Sequence, residues 1–288
     1  MRILFSSTPG EGHVRPLLPL ARALAAGGHE IAFSTTAGWA PRLAEEGFPV
    51  LPAGVEHAAA RSHVDAAERS RVAPADLRLF LFPRIFGRGQ APAKTPELLG
   101  HAHDWNPDAI VAETSDLAAP IVAAALGLPL VNHSFGAMLP LRVAEAAAEV
   151  VAPLWREQGL EPDPYAGAFR GLYVDVAPPS LAIAEPPAAS VRLRLVERLA
   201  APPPPPDRPE TPFVYATMGT IFNEPQVFHV LLRALEGLPA LVTTGRGTRV
   251  DGRVPDGVAV AEFLPQEDVL PYASAVVSHG GSGTMLGA

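Results

Sequence analysis

Residues 1–36 read MRILFSSTPGEGHVRPLLPLARALAAGGHEIAFSTT, and this stretch sets the fold class. Ile3 to Ser6 is a short apolar run ending in small residues and Pro9-Gly10, the pattern of a strand buried on both faces of a parallel sheet. From Val14 to Ala26 apolar residues fall at helical spacing (Leu17, Leu20, Ala21, Leu24), and Gly27-Gly28 closes the helix as a C-terminal cap. Glu30 to Thr35 is a second strand. Strand, helix and strand joined by short loops form a crossover unit, which predicts an α/β protein with a parallel sheet wrapped by helices.

The same rhythm continues outward. Strands are predicted at Phe48 to Pro52, Ala109 to Glu113 and Leu130 to His133, with helices over Leu117 to Leu126 and Leu141 to Gln158. Between Glu56 and Gly100 the pattern loosens into helical pieces carrying Phe80, Phe82 and Phe86. Pro202 to Pro206 is an unbroken proline run that fits neither a helix nor a central strand, so it predicts a stiff connector. The alternation then restarts with Phe213 to Ala216, a helix from Gln226 to Gly237, and strands at Ala240 to Thr244, Val258 to Ala261 and Ala275 to Ser278. The expected organisation is two doubly wound, Rossmann-like domains: residues 1–200, a proline-rich linker at 201–210, and 211–288. The last is too short for a complete sheet of this type, and the chain reads as cut.

Composition narrows the function classes. Of 288 residues 48% are hydrophobic and 18% charged, a globular balance. A formal net charge of −8 argues against a nucleic-acid partner, which needs a basic face to meet phosphates. The absence of cysteine removes disulfides and cysteine–zinc sites. No run approaches the roughly 20 apolar residues of a membrane span. The amino terminus lacks a signal peptide's apolar core, so the expected location is cytoplasmic. Lys94 is the sole lysine, far in sequence from any glycine loop; with no G-x-x-x-x-G-K-[ST] segment, a P-loop is excluded.

Two glycine-rich loops carry the chemistry. Gly10-Glu11-Gly12-His13-Val14-Arg15 resembles a dinucleotide fingerprint only superficially: Arg15 replaces the third glycine, and the second strand ends without an acidic residue for a ribose. The loop instead presents His13 at a helix start beyond the carboxyl end of the first strand, where open α/β sheets bind ligands. The positive helix end favours neutral imidazole, so His13 is either a general base or a capping histidine without chemistry. A carboxylate orients such a base; Glu113, ending a parallel strand, is the preferred partner, with Asp116 the alternative or an N-cap. The second loop, Ser278-His279-Gly280-Gly281-Ser282-Gly283-Thr284, follows a buried strand and opens a helix. Its free N–H groups, hydroxyls and histidine form a diphosphate receptor, and its glycines let phosphates reach the main chain. The competing reading is a merely tight turn.

His279 to Thr284, preceded by Phe263-Leu264-Pro265-Gln266 and by Gly12-His13, resembles the nucleotide-sugar-dependent glycosyltransferases of the GT-B fold. The similarity is greatest to bacterial enzymes that decorate macrolides, aromatic polyketides and other secondary metabolites, and it covers essentially the whole chain. The resemblance implies His13 as general base and Glu113 as its orienting partner, where the family often has aspartate. It implies a donor site of Thr217, Gly219, Thr220, Phe263, Leu264, Gln266, His279, Gly281, Ser282, Gly283 and Thr284. It also implies a lipophilic acceptor held near Gly12, Phe80, Phe82, Phe86, His133 and Ser134. The implied reaction is a single displacement with inversion from a dTDP- or UDP-sugar, without a cofactor or metal. The absence of any D-x-D pair agrees with this. The family's later donor-sugar residues and final helix are not found in this sequence. Two alternatives remain: a nucleotide-sugar epimerase of the same architecture, and an inactive fragment or auxiliary partner of a catalytic subunit. A homodimer is compatible with each.

Overall fold

The structure, a computed structural model, describes residues 1–182, 184–194, 205, 208–209, 212–219, 225–245, 247–248, 250 and 253–288. It divides into two compact units, Met1–Leu195 and Val196–Ala288. Most of the predicted linker at 201–210 lies outside the described residues.

Among its described residues the first unit holds seven parallel strands: β1 Arg2–Ser6, β2 Glu30–Thr35, β3 Val50–Pro52, β4 Ala109–Glu113, β5 Leu130–His133, β6 Leu172–Asp175 and β7 Ser190–Arg192. Their order is β3-β2-β1-β4-β5-β6-β7. The chain winds outward from β1 to β3 and then returns to lay β4 beside β1, so strand order reverses between β1 and β4. Connections leave to opposite sides at such a reversal and open a crevice at the strands' carboxyl ends. Ser6 of β1 pairs in register with Ser34 and with Ala112.

The continuous apolar run of β1 is explained by cover on both faces. Phe5 stacks on Phe33 at 5.1 Å and packs with Val14, Leu17 and Ala21, whereas Leu4 packs on the other side with Leu98, Ile110 and Val122. Each fully buried side chain of this size stabilises the unit by about 1.5–3 kcal/mol. A further core forms where the helix Leu141–Glu157 turns Val143, Ala147, Val151 and Trp155 inward.

Among its described residues the second unit holds four parallel strands: β8 Val214–Thr217, β9 Ala240–Thr243, β10 Val258–Ala261 and β11 Ala275–Ser278. Their order is β10-β9-β8-β11, so this sheet reverses between β8 and β11, where Thr217 pairs with Ser278. The architecture is the predicted α/β type, with parallel sheets in both units.

Three differences from the sequence reading have physical causes. β6 and β7 were not predicted: all three residues of the edge strand β7 are exposed, so no apolar run marks it. The first helix begins at Glu11 rather than Val14, because Gly10 turns the chain at φ +146° and its carbonyl accepts the N–H groups of His13 and Val14. The loosened segment contains a π-helix, Pro83–Gln90, running into the helix Ala91–Trp105; its wider turn breaks the 3.6-residue period. Among the described residues no helix is long and apolar enough to cross a membrane.

Candidate active site

At the β1/β4 reversal the strand ends bring His13 and Glu113 together. His13 Nδ1 lies 3.4 Å from Glu113 Oε1 and 3.3 Å from Ser115 Oγ. Thr8 donates to the same carboxylate oxygen through its hydroxyl (2.7 Å) and its N–H (3.2 Å), and Ser115 N–H donates to Oε2 at 2.7 Å. The Glu113 side chain is 0% exposed. Burial alone would raise its pKa, but the His13 charge, the His13 hydrogen bond and the Ser115 and Thr8 donors outweigh burial and hold it at about 2. It is therefore a carboxylate at neutral pH. A carboxylate only accepts, so it selects the Nδ1–H tautomer of His13 and leaves Nε2 as the basic nitrogen.

Asp116, the alternative partner, is engaged elsewhere. Its Oδ1 accepts the N–H groups of Ala118 and Ala119 at the start of the helix Ala119–Leu126, and its Oδ2 accepts Ser6 Oγ at 2.6 Å and Lys94 Nζ at 2.7 Å. Lys94 also donates to the carbonyls of Ser7 (2.6 Å) and Ser34 (3.1 Å). Its sequence distance from the glycine loop is misleading, for the fold places this lysine directly beneath the site. A signal was present: Ala91, Lys94, Thr95, Leu98 and Ala102 form the buried face of one helix, an unusual place for a charge. Thr8 and Ser115, the donors that hold Glu113, carried no distinguishing pattern.

The predicted acceptor residues separate into two groups. Phe86, on the π-helix, places its ring 5.4 Å from that of His13 in an edge contact, and Phe135 does the same at 5.1 Å from another loop. Gly12 is exposed, with open space where a Cβ would stand. By contrast Phe82 is buried in the core, and Phe80 lies beneath the guanidinium of Arg84 at 3.8 Å. His133 and Ser134 are both buried, because β5 is a central strand of the sheet. Ser134 Oγ accepts the N–H of Val176. Burial lowers the His133 pKa to about 4, against the opposing effects of the Ser134 main chain and the Glu113 charge.

The second unit gathers most of the predicted donor residues at its own reversal. The His279 ring lies between two glycines: a Cβ on Gly219 would stand 2.5 Å from Cε1, and one on Gly281 2.5 Å from Nε2. Only glycine permits this approach, and Gly219 also has φ +74°, a left-handed conformation that other residues rarely adopt. Its N–H donates to Thr217 Oγ1 at 3.2 Å. Partial burial lowers the His279 pKa. Gln266 donates through Nε2 to Thr284 Oγ1 at 2.8 Å, joining the loop after β10 to the turn after β11. Leu264 packs with Val269 and Tyr215, and Phe263 precedes it, half-buried. Ser282 and Gly283 open the helix Ser282–Gly287. Thr220 lies outside the described residues. Among those described, no group of three or more His, Asp or Glu side chains could hold a metal ion.

Two parallel-sheet units, each with polar side chains gathered at the reversal of strand order, are the architecture of the GT-B fold. Residues 22–198 match the family model of the erythromycin biosynthesis protein CIII-like N-terminal domain. The chain is 33% identical over 315 residues to the elloramycin glycosyltransferase of Streptomyces olivaceus, covering 100% of this chain and 78% of that protein. It is 32% identical over 319 residues to the L-demethylnoviosyl transferase of Streptomyces niveus, covering 100% and 76%. The crystal structure of a glycosyltransferase from Streptomyces sp. SF2575 in complex with thymidine diphosphate matches with a TM-score of 0.77 at 27% identity, covering 100% and 78%. The chain belongs to the erythromycin biosynthesis protein CIII-like family and is a glycosyltransferase of antibiotic biosynthesis.

Proposed function

We propose that this glycosyltransferase moves a sugar from a dTDP- or UDP-sugar to a hydroxyl of a small lipophilic acceptor, with inversion and without a metal. The acceptor occupies the first unit, expected to span residues 1–200, beside His13, Phe86, Phe135 and Gly12. The nucleotide sugar occupies the second, residues 211–288, joined to the first by the linker at 201–210.

In this reading His13 Nε2 takes the acceptor proton as the hydroxyl oxygen forms its bond to the anomeric carbon. The anomeric carbon–oxygen bond to the diphosphate breaks in the same step, and the electron pair leaves with the nucleotide. Glu113 stabilises the imidazolium that forms. A base so placed typically contributes about 10²–10⁴-fold in rate. The developing phosphate charge falls to His279, the hydroxyls of Thr217, Ser282 and Thr284, and the main chain of Gly219, Gly281 and Gly283. Phe263, Leu264 and Gln266 take the base and ribose. Thymidine diphosphate in the related structure from Streptomyces sp. SF2575 favours dTDP as the carrier.

The single observation that carries the proposal is the 3.4 Å approach of His13 Nδ1 to the fully buried Glu113 at the β1/β4 reversal. The test is to incubate the chain with an α-configured dTDP-sugar and a flat hydroxylated polyketide, then determine the product's anomeric configuration by NMR. A β-glycoside formed equally well with chelator present is expected. A retained α-configuration, or transfer abolished by chelator, rejects the mechanism.

A further inference from the structure

We infer that Lys94 and Asp116 form a buried positioning pair that tunes the His13–Glu113 dyad through one peptide group. The proposal rests on the reading of His13 as the base. The Ser7 carbonyl and the Thr8 N–H belong to the same planar trans peptide, so they point in opposite directions. On one side Lys94 Nζ donates to the Ser7 oxygen at 2.6 Å; on the other Thr8 N–H donates to Glu113 Oε1 at 3.2 Å. A continuous chain therefore runs from the ammonium, through the peptide, to the carboxylate and on to His13 Nδ1. A cation on the carbonyl polarises the peptide and strengthens its N–H as a donor, the cooperative effect of linked hydrogen bonds.

The pair is built for permanence. Lys94 has three donors and three acceptors: Ser7 O, Ser34 O and Asp116 Oδ2. Asp116 accepts four hydrogen bonds in all, from Ser6, Lys94, Ala118 and Ala119. Both side chains are 1% exposed. Their charges cancel at a distance, so what reaches Glu113 is mainly the polarised peptide. Strengthening the Thr8 donor draws electron density from Glu113 and makes it a weaker partner for the imidazolium. The other titratable groups facing His13 are few. His57 couples to it electrostatically from the helix His57–Arg61, and Glu11, paired with Arg42, and Arg15 share its own turn. Phe86 and Phe135 face it without charge.

The experiment is an NMR titration of the His13 imidazole in the full chain, its resonance identified by loss in His13→Gln. The main variant is Lys94→Met/Asp116→Asn, which leaves no unpaired buried charge; Lys94→Gln is the second. The double variant is expected to move the His13 titration to higher pH, and Lys94→Gln, which leaves Asp116 unbalanced, to move it further in the same direction. The acidic limb of kcat/KM should move up with it. An unchanged or lowered His13 pKa in the double variant overturns the inference and leaves the pair structural. The base assignment is judged separately, by whether His13→Ala loses turnover, so the two failures are distinguishable.

Discussion

The two strand-order reversals occupy equivalent places in their sheets but are made of different materials. At β1/β4 a fully buried carboxylate is fixed by the Thr8 and Ser115 donors and the adjacent His13, with a lysine–aspartate pair beneath it. At β8/β11 the equivalent strand ends carry neutral hydroxyls, glycine main chain and a histidine lying between Gly219 and Gly281. Formal charge locked in place suits the handling of one proton at a defined atom. Main-chain and hydroxyl donors suit a diffuse anion that must also depart. Changes at the first turn should therefore appear in chemistry and stability, and changes at the second in nucleotide affinity.

The largest expected effect is at the first turn. His13→Ala should lower turnover by about 10²–10⁴-fold, measured by product formation at saturating donor and acceptor. Loss of less than about tenfold would place the base elsewhere.

Lys94→Met should come next. Removing one partner of a buried ion pair leaves an uncompensated charge and costs about 3–5 kcal/mol, read as a lower urea midpoint. Adding Asp116→Asn should recover much of that loss, and no recovery would mean the ion pair is not the origin of the cost.

The third prediction concerns His133, whose folded pKa of about 4 lies below its ordinary value of 6.5. A depressed histidine contributes stability above its unfolded pKa and loses it as pH falls, here between about 6.5 and 4. Across that window the contribution approaches about 3 kcal/mol. His133→Leu should flatten the fall in urea midpoint between pH 7.5 and 5; an unaltered slope would assign the acid sensitivity to other groups.

The smallest effect belongs to the second turn. Gly219→Ala should displace the His279 ring and weaken dTDP binding by about tenfold, or about 1.4 kcal/mol, by calorimetry. If it leaves dTDP affinity unchanged but moves the His13 titration, the division of labour between the turns is wrong.

Elements with an apolar run bounded by glycine or proline, such as β1, β4 and β9, were legible because burial on two faces leaves a continuous signal, whereas β11, read as buried from the same kind of run, is partly exposed. The edge strand β7 and the π-helix Pro83–Gln90 were not, since an exposed strand needs no apolar residues and a wide helix breaks the period. His13 and Glu113 could be read as a pair because each ends or follows a strand whose carboxyl end points to the crevice. The same rule says less about His133, because being at a strand end does not reveal which elements cover it, and this side chain is buried. Lys94 was hidden for a related reason, as its three partners are 22 to 87 residues away in sequence and only the fold assembles them.

Glu113→Gln tests the central claim most directly, because it keeps the shape of the buried side chain and removes only its charge. Turnover and dTDP affinity should be measured on the same preparation. The account predicts turnover reduced by about 100-fold or more with dTDP affinity unchanged within about twofold. Turnover close to that of the unaltered chain, or equal losses in turnover and nucleotide binding, would contradict it.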